Sequence, residues 1–391
     1  MKPSAKTATG RDIPFHRPYI TEEEVRAVSE CLRNGWLTMG RKTLEFEERF
    51  RIFVGASHAV AVNSCTAAQH LALKAIGLGE GDEVILPALT FASTAETVLY
   101  FNARVVMADV EKDTHLIDVG EIEKRITPRT RAIVPVHYGG QPADMDEIRE
   151  MAHRRNIAVI DDAAHSLPAS YRGRPAGSLG DITCFSFYAT KTLATGEGGM
   201  ITTENAGWAE RMRILRLHGI SSDAWKRYSK EGSWVYDVTE AGYKYNITDI
   251  ASALGLEQLK KQDFLREERE RIARRYDEAF TGDAFLPYLI KGDRTSARHL
   301  YPLRLNTEAL TITRDRFVEE LKARGVGVSV HYIPLYRFSL YRDMGFQAGN
   351  YPACEWIFSR CLSLPLYPGM QDEEIDYVIS HVRDIAAVAR R

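Results

Sequence analysis

Residues 185–200 read FSFYATKTLATGEGGM and place Lys191 between a short apolar run and a glycine-rich return. Glycine permits close backbone approach and unusual dihedral angles, so this loop can pack tightly around a ligand. A lysine held against a cofactor and other cations has a lowered pKa and serves as a nucleophilic amine. The alternative is a solvated surface lysine, and the aromatic and small residues that flank Lys191 speak against it.

On either side of this loop, short apolar runs alternate with amphipathic stretches. We predict strands at 59–62, 83–86, 105–109, 132–137, 157–161, 182–187 and 200–203, and helices at 67–76, 92–101, 145–156 and 206–217. Short buried strands that alternate with helices imply parallel pairing, because a crossover between parallel strands needs a dozen or more residues. The pattern therefore predicts an α/β fold with a mainly parallel sheet, whose ligands lie beyond the carboxyl ends of the strands.

The remaining third of the chain predicts a smaller α/β domain. Residues 246–276 are typical of a charged helix with a solvated face, and this helix would bridge to strands at 299–305 and 326–330 and helices at 314–324 and 372–387. The predicted division is a flexible N-terminal arm (1–13), a large domain (14–255), and a linking helix with a small C-terminal domain (256–391).

A second loop, VNSCTAA at residues 62–68, joins a predicted strand directly to a helix. Small and hydroxylated residues at such a turn leave backbone N–H groups free, and a helix N-terminus of this kind attracts phosphate. The alternative is an ordinary helix cap, with Ser64 or Thr66 bonded to the first turn, and caps are the more frequent of the two.

A third loop begins with Asp161 and Asp162 at the end of an apolar strand. Successive side chains of a strand point to opposite faces, so one acid can cap the following helix while the other reaches into the crevice. A carboxylate in the crevice could bind a metal, a ribose hydroxyl or a protonated ring nitrogen. Two helix-starting acids without a ligand are an equally good explanation of this pattern alone.

Composition narrows the classes of function. The chain has 391 residues with 51 Lys+Arg and 53 Asp+Glu, so its formal net charge of −2 argues against a nucleic-acid binder. The five cysteines are scattered without a CxxC pair, and no His/Cys cluster suggests a metal. No stretch approaches the roughly 20 apolar residues that span a bilayer. We expect a cytoplasmic enzyme that binds no metal, no nucleic acid and no membrane.

Taken together in this order, the motifs are similar to those of a known family. They are NSCTAA at 63–68, PALTF at 87–91, DDAAH at 161–165, SF at 186–187 with Lys191, GEGG at 196–199, LHG at 217–219, GYKYN at 242–246 and HYIPL at 331–335. The sequence resembles, from about residue 14 to 377, the DegT/StrS family of pyridoxal-phosphate-dependent nucleotide-sugar aminotransferases. The resemblance implies the aspartate-aminotransferase-type fold, known as fold type I.

The resemblance also implies how pyridoxal 5′-phosphate would be held. Lys191 would carry the cofactor covalently as a Schiff base and shuttle the proton, while Asp162 would pair with the ring nitrogen. Phe91 would stack on the ring, and His165, where many relatives have glutamine, would hydrogen-bond its phenolic oxygen. The groups expected to hold the phosphate are Thr66, the Ala67 backbone and Ser186.

Further residues are expected to contact the partner subunit and the substrate. In the family, the segment that matches 242–246 reaches across a homodimer interface to the partner's cofactor phosphate, so Lys244 and Asn246 would complete a shared active site. Many relatives carry asparagine and arginine at these two positions, and which of the two makes the contact stays open. The expected contacts to the sugar nucleotide are His331, Tyr332 and His218.

The implied activity is transfer of an amino group from glutamate to a nucleotide-diphospho-keto-sugar, a 4-keto sugar being favoured. A lysine at 191, where dehydratases of the family have histidine, favours transamination. The motifs most resemble the branch that aminates UDP-4-keto-pentoses for lipid A modification, and the product would be an amino sugar for lipopolysaccharide, lipid A or a related glycan.

Two other functions remain as alternatives. A non-catalytic sugar-binding regulator could use the same fold, although the presence of Lys191 and Asp162 counts against it. An NAD-dependent sugar dehydrogenase would rest on GLGEG at 77–81, which follows a predicted helix and precedes a strand, whereas the dinucleotide fingerprint needs the reverse order.

Overall fold

The computed structural model describes residues 12–220 and 236–391, so the first eleven residues of the predicted N-terminal arm lie outside the described residues. In this part the helices are α1 (Glu22–Asn34), α2 (Arg41–Phe53), α3 (Cys65–Ala75), α4 (Ala92–Leu99), α5 (Val119–Glu123), α6 (Met145–His153), α7 (Ala206–Leu215), α8 (Asp249–Lys260), α9 (Gln262–Ala279), α10 (Arg314–Ala323), α11 (Ser339–Asp343), α12 (Pro352–Phe358) and α13 (Asp372–Val388).

The strands of the same part are β1 (His58–Val62), β2 (Glu83–Pro87), β3 (Arg104–Ala108), β4 (Thr130–Ile133), β5 (Ala158–Asp162), β6 (Ser170–Tyr171), β7 (Arg174–Pro175), β8 (Ile182–Ser186), β9 (Gly199–Thr203), β10 (Phe285–Leu286), β11 (Arg294–Thr295), β12 (Tyr301–Leu305) and β13 (Cys361–Leu364). Of the described helices, none combines the length and the apolar character needed to cross a membrane.

A seven-stranded sheet forms the centre, with the order β1-β9-β8-β5-β4-β2-β3. The pairs from β8 through β5, β4 and β2 to β3 are parallel, and β9 runs antiparallel to both of its neighbours. Strands such as β2 are buried along their whole length, as expected for parallel strands that helices cover on both faces. The predicted α/β fold with a mainly parallel sheet is confirmed.

Glycine allows β9 to bring its partners close together. In the register of the sheet, Gly199 lies opposite both Val62 at the end of β1 and Ser186 at the end of β8. A side chain on Gly199 would meet the Ser64 backbone, because a Cβ there would lie 2.6 Å from the carbonyl carbon and oxygen. Gly196 adopts a φ of 84°, a left-handed conformation that favours glycine. The glycine-rich return thus packs the Lys191 loop against the turn before α3.

The C-terminal part has an apolar core of its own. Here β12 pairs antiparallel with β10 and β13, and apolar residues of this sheet share one core with residues of α9, α10 and α13. Ile13 is 1% exposed and belongs to this core, where it forms a bridge with Val326. The division of the chain into an arm and two domains stays a prediction.

Two predictions of secondary structure are wrong in this part. The predicted strand 326–330 is reduced to single bridges, Val326 with Ile13 and Ser329 with Ser363. The backbone of Phe15 approaches so closely that a Cβ on Gly327 would lie 2.4 Å from the Phe15 nitrogen, and this irregular packing replaces a ladder. The predicted helix 246–276 begins at Asp249 and is divided at Lys261 into α8 and α9.

Candidate active site

A cavity of about 320 Å³ lies where β1, β2, β5 and β8 end, at the carboxyl edge of the sheet. Loops that follow these strands supply most of its wall. Eight of the residues predicted to bind cofactor or substrate line it: Thr66, Phe91, Asp162, His165, Ser186, Lys191, His331 and Tyr332. The three loops singled out in the sequence therefore meet in one place.

The carboxylate of Asp162 is fixed by donors on three sides. Its Oδ2 accepts hydrogen bonds from Gln69 Nε2 at 2.7 Å and Thr94 Oγ1 at 2.9 Å, and its Oδ1 accepts one from the Ala164 N–H at 3.1 Å. Asp162 is 5% exposed, whereas the adjacent Asp161 is 0% exposed and caps no helix. Strand alternation has turned one acid to the cavity and the other into the interior.

Lys191 is half-buried at the wall of the cavity. Its loop is held by the Lys191 N–H, which donates to the Tyr188 carbonyl at 2.8 Å, and by the Ala189 N–H, which donates to the Gly196 carbonyl at 3.0 Å. Burial lowers the pKa of the Lys191 amine to about 8, and the nearby Asp162 carboxylate opposes this shift. An amine with this pKa is in part unprotonated at neutral pH, which makes it a nucleophile and a base.

The residues before Lys191 alternate between core and cavity. Phe185 and Phe187 are buried and pack against Phe50, with ring centroids 5.0 and 5.5 Å apart. Ser186, between them, faces the cavity. The alternation of a strand thus explains why the middle residue of the sequence FSF can touch a ligand while the two rings beside it lie in the core.

Ser64 caps α3, the helix that begins at the cavity. Its side chain accepts a hydrogen bond from the Ala67 N–H at 3.0 Å, which is the cap that the sequence left open as an alternative. Thr66 lines the cavity, whereas Ala67 does not. A contact of the Ala67 N–H to a phosphate would compete with this cap, so the predicted role of Ala67 stays a prediction.

His165 is buried, and both of its ring nitrogens have partners. The Gly139 N–H donates to Nδ1 at 3.3 Å, and Nε2 lies 2.8 Å from Tyr332 Oη. Burial, together with the charge of Lys191, keeps the pKa of His165 well below its ordinary value. The His299 ring packs on its other side, with centroids 4.4 Å apart.

His331 lies against the C-terminal part of the chain. Its Nδ1 is 2.9 Å from Ser363 Oγ on β13, and its ring stacks on Phe15 with centroids 5.6 Å apart. Tyr138 Oη donates to the His331 carbonyl at 2.6 Å. Burial, with a further contribution from Lys191, lowers the pKa of His331 to about 4, so its ring is neutral near pH 7.

The other predicted residues lie outside the cavity of their own chain. Lys244 is exposed, and its carbonyl accepts a hydrogen bond from Asn63 Nδ2 at 3.4 Å. Asn246 Nδ2 donates to the Ile247 carbonyl, and the Asn246 Oδ1 atom is buried without a partner among the described residues. His218 is exposed and precedes residues 221–235, which are not described. The chain alone does not bring these three residues to Lys191.

Several residues of the site were not predicted. Gln69 and Thr94 bond to Asp162, and Tyr188 and Glu197 line the cavity. A signal for Gln69 exists, since it lies one helical turn after Cys65, which also lines the cavity. Tyr188 and Glu197 belong to the FSFYATKTLATGEGGM stretch, in which only Ser186 and Lys191 were given roles.

The chemistry of these groups fits pyridoxal phosphate. A half-buried amine with a lowered pKa and a carboxylate held by three donors line the same cavity, as the attachment point and the ring-nitrogen partner require. The hydroxyls of Thr66 and Ser186 could hold a phosphate at the start of α3. A volume of about 320 Å³ lies within the usual range of ligand pockets, roughly 300–1,000 Å³.

Two relatives are similar along nearly their whole length. The uncharacterized protein MJ1066 of Methanocaldococcus jannaschii is 48% identical over 380 residues, which cover 97% of this chain and 98% of that protein. The spore coat polysaccharide biosynthesis protein SpsC of Bacillus subtilis is 47% identical over 376 residues, which cover 95% and 97%.

Solved structures extend the comparison to the fold and the cofactor. Spr1654 of Streptococcus pneumoniae, described as a sugar aminotransferase, superposes in its PMP form with a TM-score of 0.91 and 35% identity, covering 97% of this chain and 98% of that chain. Its PLP form gives a TM-score of 0.90. The cofactor of this chain is pyridoxal phosphate. Because the sequence model of the DegT/DnrJ/EryC1/StrS aminotransferase family matches residues 18–383, the chain belongs to that family.

Proposed function

We propose that this sugar aminotransferase moves an amino group from glutamate to a nucleotide-diphospho-keto-sugar, with a 4-keto sugar as acceptor. The observation that carries the proposal is the Lys191 amine, with a pKa of about 8, beside a carboxylate fixed by three donors in one cavity. This pair is what amino-group transfer requires of the protein, and neither a sugar-binding regulator nor a dehydrogenase has a use for it.

The residues around the cavity would have different roles in the reaction. Bound pyridoxal phosphate supplies an electron sink for charge that develops at the substrate carbon. Asp162 would accept a hydrogen bond from the protonated ring nitrogen, and Phe91, which is 59% exposed at the cavity, would cover one face of the ring. Lys191 Nζ would take the proton from the substrate carbon and return it on the other side of the transfer.

The substrates must enter one after the other. Glutamate and a nucleotide-sugar are too unlike to share a closed pocket, and this cavity has the aromatic rings of Phe91 and Tyr188, 59% and 47% exposed, at its wall. His331 and Tyr332 would contact the sugar nucleotide. His331 would do so as a neutral ring, because its pKa is about 4, and it therefore offers a hydrogen bond and no charge to a diphosphate.

The active enzyme would be a homodimer with shared active sites. Support comes from the segment that contains Lys244 and Asn246. Lys244 is exposed, and neither residue lines the cavity of its own chain. In a dimer this segment would supply the charge and the hydrogen bonds that the partner's cofactor phosphate needs. His218, on the neighbouring exposed turn, stays a proposed substrate contact.

The product would be an amino sugar for a cell-surface glycan. Biosynthesis of a spore coat polysaccharide by SpsC is one instance of such a pathway in a relative. Lipopolysaccharide and lipid A are the other destinations that the sequence motifs favour, with a UDP-4-keto-pentose as the acceptor. We place the reaction in the cytoplasm, where nucleotide sugars are made.

A substrate screen tests the proposal. Purified enzyme with pyridoxal phosphate is mixed with glutamate, and the visible absorbance band of the bound cofactor is followed. UDP-, GDP- and dTDP-linked 4-keto sugars, the UDP-4-keto-pentose among them, are then added, and the amino sugar is identified by mass. We expect glutamate to bleach the band and one keto-sugar to restore it. If glutamate bleaches the band and none of the keto-sugars restores it, the sugar assignment is refuted. Oxidation of a sugar with NAD would favour the dehydrogenase.

A further inference from the structure

The first residue of α9, Gln262, is bonded to the loop that contains Lys191. Its Nε2 donates to the Thr192 carbonyl at 3.2 Å and to the Gln258 carbonyl at 3.2 Å. Both acceptors are carbonyl oxygens, so only the NH₂ end of the amide can face them, and both of its hydrogens are used. The Gln262 side chain therefore has one orientation that satisfies its surroundings. Neither Gln262 nor Thr192 lines the cavity.

This bond fixes the backbone next to the reactive amine. Thr192 directly follows Lys191, and its carbonyl is held by Gln262. On the other side, the Lys191 N–H donates to the Tyr188 carbonyl at 2.8 Å. Leu193, one position further along, is buried in the apolar core that it shares with α8. The backbone of the lysine is thus held on both sides, which restricts the direction in which its side chain leaves the loop.

The place from which Gln262 reaches the loop is itself fixed. The break between α8 and α9 lies at Lys261, whose Nζ donates to the two carboxylate oxygens of Glu24 on α1 at 2.9 and 2.8 Å. Gln258 Nε2 donates to the same carboxylate at 2.9 Å. Burial alone would raise the pKa of Glu24, but hydrogen bonds from Lys261 and Thr21 lower it to about 2, so the carboxylate is charged at neutral pH. The junction of α8 and α9 is therefore anchored to α1.

Stability of the junction does not by itself explain a glutamine at 262. The Gln262 Oε1 atom is buried and has no partner within residues 12–220 and 236–391. A buried acceptor without a hydrogen bond costs free energy, and an apolar side chain of similar length would avoid that cost. What the glutamine adds is a donor for the carbonyl beside Lys191.

We propose that Gln262 is a positioning residue for Lys191, which holds the lysine loop so that the amine stays buried at the wall of the cavity. Gln262 acts through the Thr192 carbonyl and touches neither cofactor nor substrate. The proposal rests on the proposed role of Lys191 as the amine that carries the cofactor. It also gives α9 a part in the reaction, because the helix that runs into the C-terminal core fixes the backbone of the lysine at its other end.

Two substitutions on neighbouring turns form a matched pair, Gln262→Met and Gln258→Met. The two glutamines are four positions apart, they are 1% and 2% exposed, and each donates two hydrogen bonds through Nε2. Methionine is similar in length and has no donor. Only the Gln262 side chain reaches the Lys191 loop, so a loss of position at the lysine should appear in Gln262→Met alone.

The first measurement is the pH profile of Lys191 acetylation in the cofactor-free full-length enzyme, followed by peptide mapping. We expect the midpoint to rise in Gln262→Met from about 8 by about one unit, because a loosened loop loses part of the burial that lowers the pKa of this amine. Gln258→Met should keep the wild-type midpoint. Asp162, the carboxylate that opposes the lowered pKa, is the same in all three proteins.

The second measurement is hydrogen exchange of the peptide that covers residues 188–196, read by mass spectrometry. Its backbone N–H groups include those of Ala189, Lys191 and Thr195, which are bonded within the loop. We expect exchange to become about three- to tenfold faster in Gln262→Met, since the loop opens more readily without one of its hydrogen bonds. The rate in Gln258→Met should equal that of the wild type.

Each outcome decides the proposal. An unchanged midpoint and exchange rate in Gln262→Met would show that the bond to Thr192 does not hold the lysine. Equal shifts in both variants would mean that any lost amide loosens the junction, which also overturns the proposal. If far-UV circular dichroism shows that Gln262→Met does not fold, Gln262→Asn, whose amide is one methylene shorter, takes its place with the same expectations. A wild-type midpoint near the ordinary value of 10.5 would refute the buried amine on which the proposed function depends, and this proposal with it.

Discussion

The side-chain amide of Gln69 donates a hydrogen bond to Asp162 Oδ2 across 2.7 Å. It does so from the second turn of α3, the helix that begins at the cavity with the Ser64 cap. One helix therefore presents its N-terminus to the cavity, where we propose that the phosphate binds, and a side chain to the Asp162 carboxylate. The spacing between these two parts is set by the rise of the helix, about 1.5 Å per residue.

Gln69→Leu should weaken cofactor retention. The variant removes one of the two donors on Asp162 Oδ2 and leaves Thr94, so the carboxylate loses a hydrogen bond and part of its orientation. A bond to a charged group contributes about 1.5–3 kcal/mol, so we expect the Kd for pyridoxal phosphate to rise about tenfold or more. Titration of the cofactor-free enzyme measures it. Gln347→Leu, at an exposed position, is the matched control, and equal Kd values for the two variants would contradict the role of Gln69.

Lys191 should react with amine reagents at an unusually low pH. Its pKa is lowered from 10.5 to about 8, so half of the amine is unprotonated near pH 8 and reactivity should reach half its maximum there. Lys124 is an internal reference, because its ion pair with Glu121 raises its pKa and keeps it charged. Acetylation of the cofactor-free enzyme followed by peptide mapping gives both profiles. A common midpoint for the two lysines would contradict the buried amine.

The same lysine should carry the cofactor covalently. Borohydride reduction of the loaded enzyme and peptide mapping should find the label on Lys191, and Lys191→Ala should abolish turnover while still binding cofactor through Asp162 and the phosphate contacts. Label on another lysine would refute the assignment.

Local patterns in the sequence were sufficient for the fold and for much of the cavity. Alternation of apolar strands with helices predicted the parallel sheet, because it depends on periodicity within each segment. Asp162 and Lys191 follow buried strands, and parallel strands end at one edge, so their meeting follows from topology. The predicted strand at 326–330 is wrong because its pairing is not a local property. It depends on Ile13 and Ser363, which are far away in the chain.

The partners within the site could not be predicted in this way. Gln69 and Asp162 are separated by 93 positions, and Tyr332 and His165 by 167. The contacts depend on side-chain directions after the helices and loops have packed, and no local pattern encodes them. The motifs singled out His165 and Tyr332, which both line the cavity, but the hydrogen bond between them could be found only from coordinates.

His331→Ala should separate the two half-reactions. The glutamate half-reaction should proceed near the wild-type rate, and transfer to the keto-sugar should slow by about tenfold or more, because a contact to the second substrate alone is lost. The pKa of about 4 also means that His331 stays neutral above about pH 6, so the sugar half-reaction should show no ionisation of this residue near 6.5. Stopped-flow absorbance measures each half-reaction. Loss of the glutamate step instead would place His331 with the cofactor or the fold.

A mixed dimer tests whether the sites are shared. Lys191→Ala and Lys244→Ala/Asn246→Ala should each be inactive as homodimers, because every site then carries one lesion. In a heterodimer purified with two different tags, both lesions fall in one site and the other site is intact, since a twofold axis relates the two. We expect about half of the wild-type activity per dimer. Cofactor content should follow the same count, with one intact phosphate site per heterodimer. An inactive heterodimer, or an active monomer by sedimentation, would show that the segment from Lys244 to Asn246 serves its own chain.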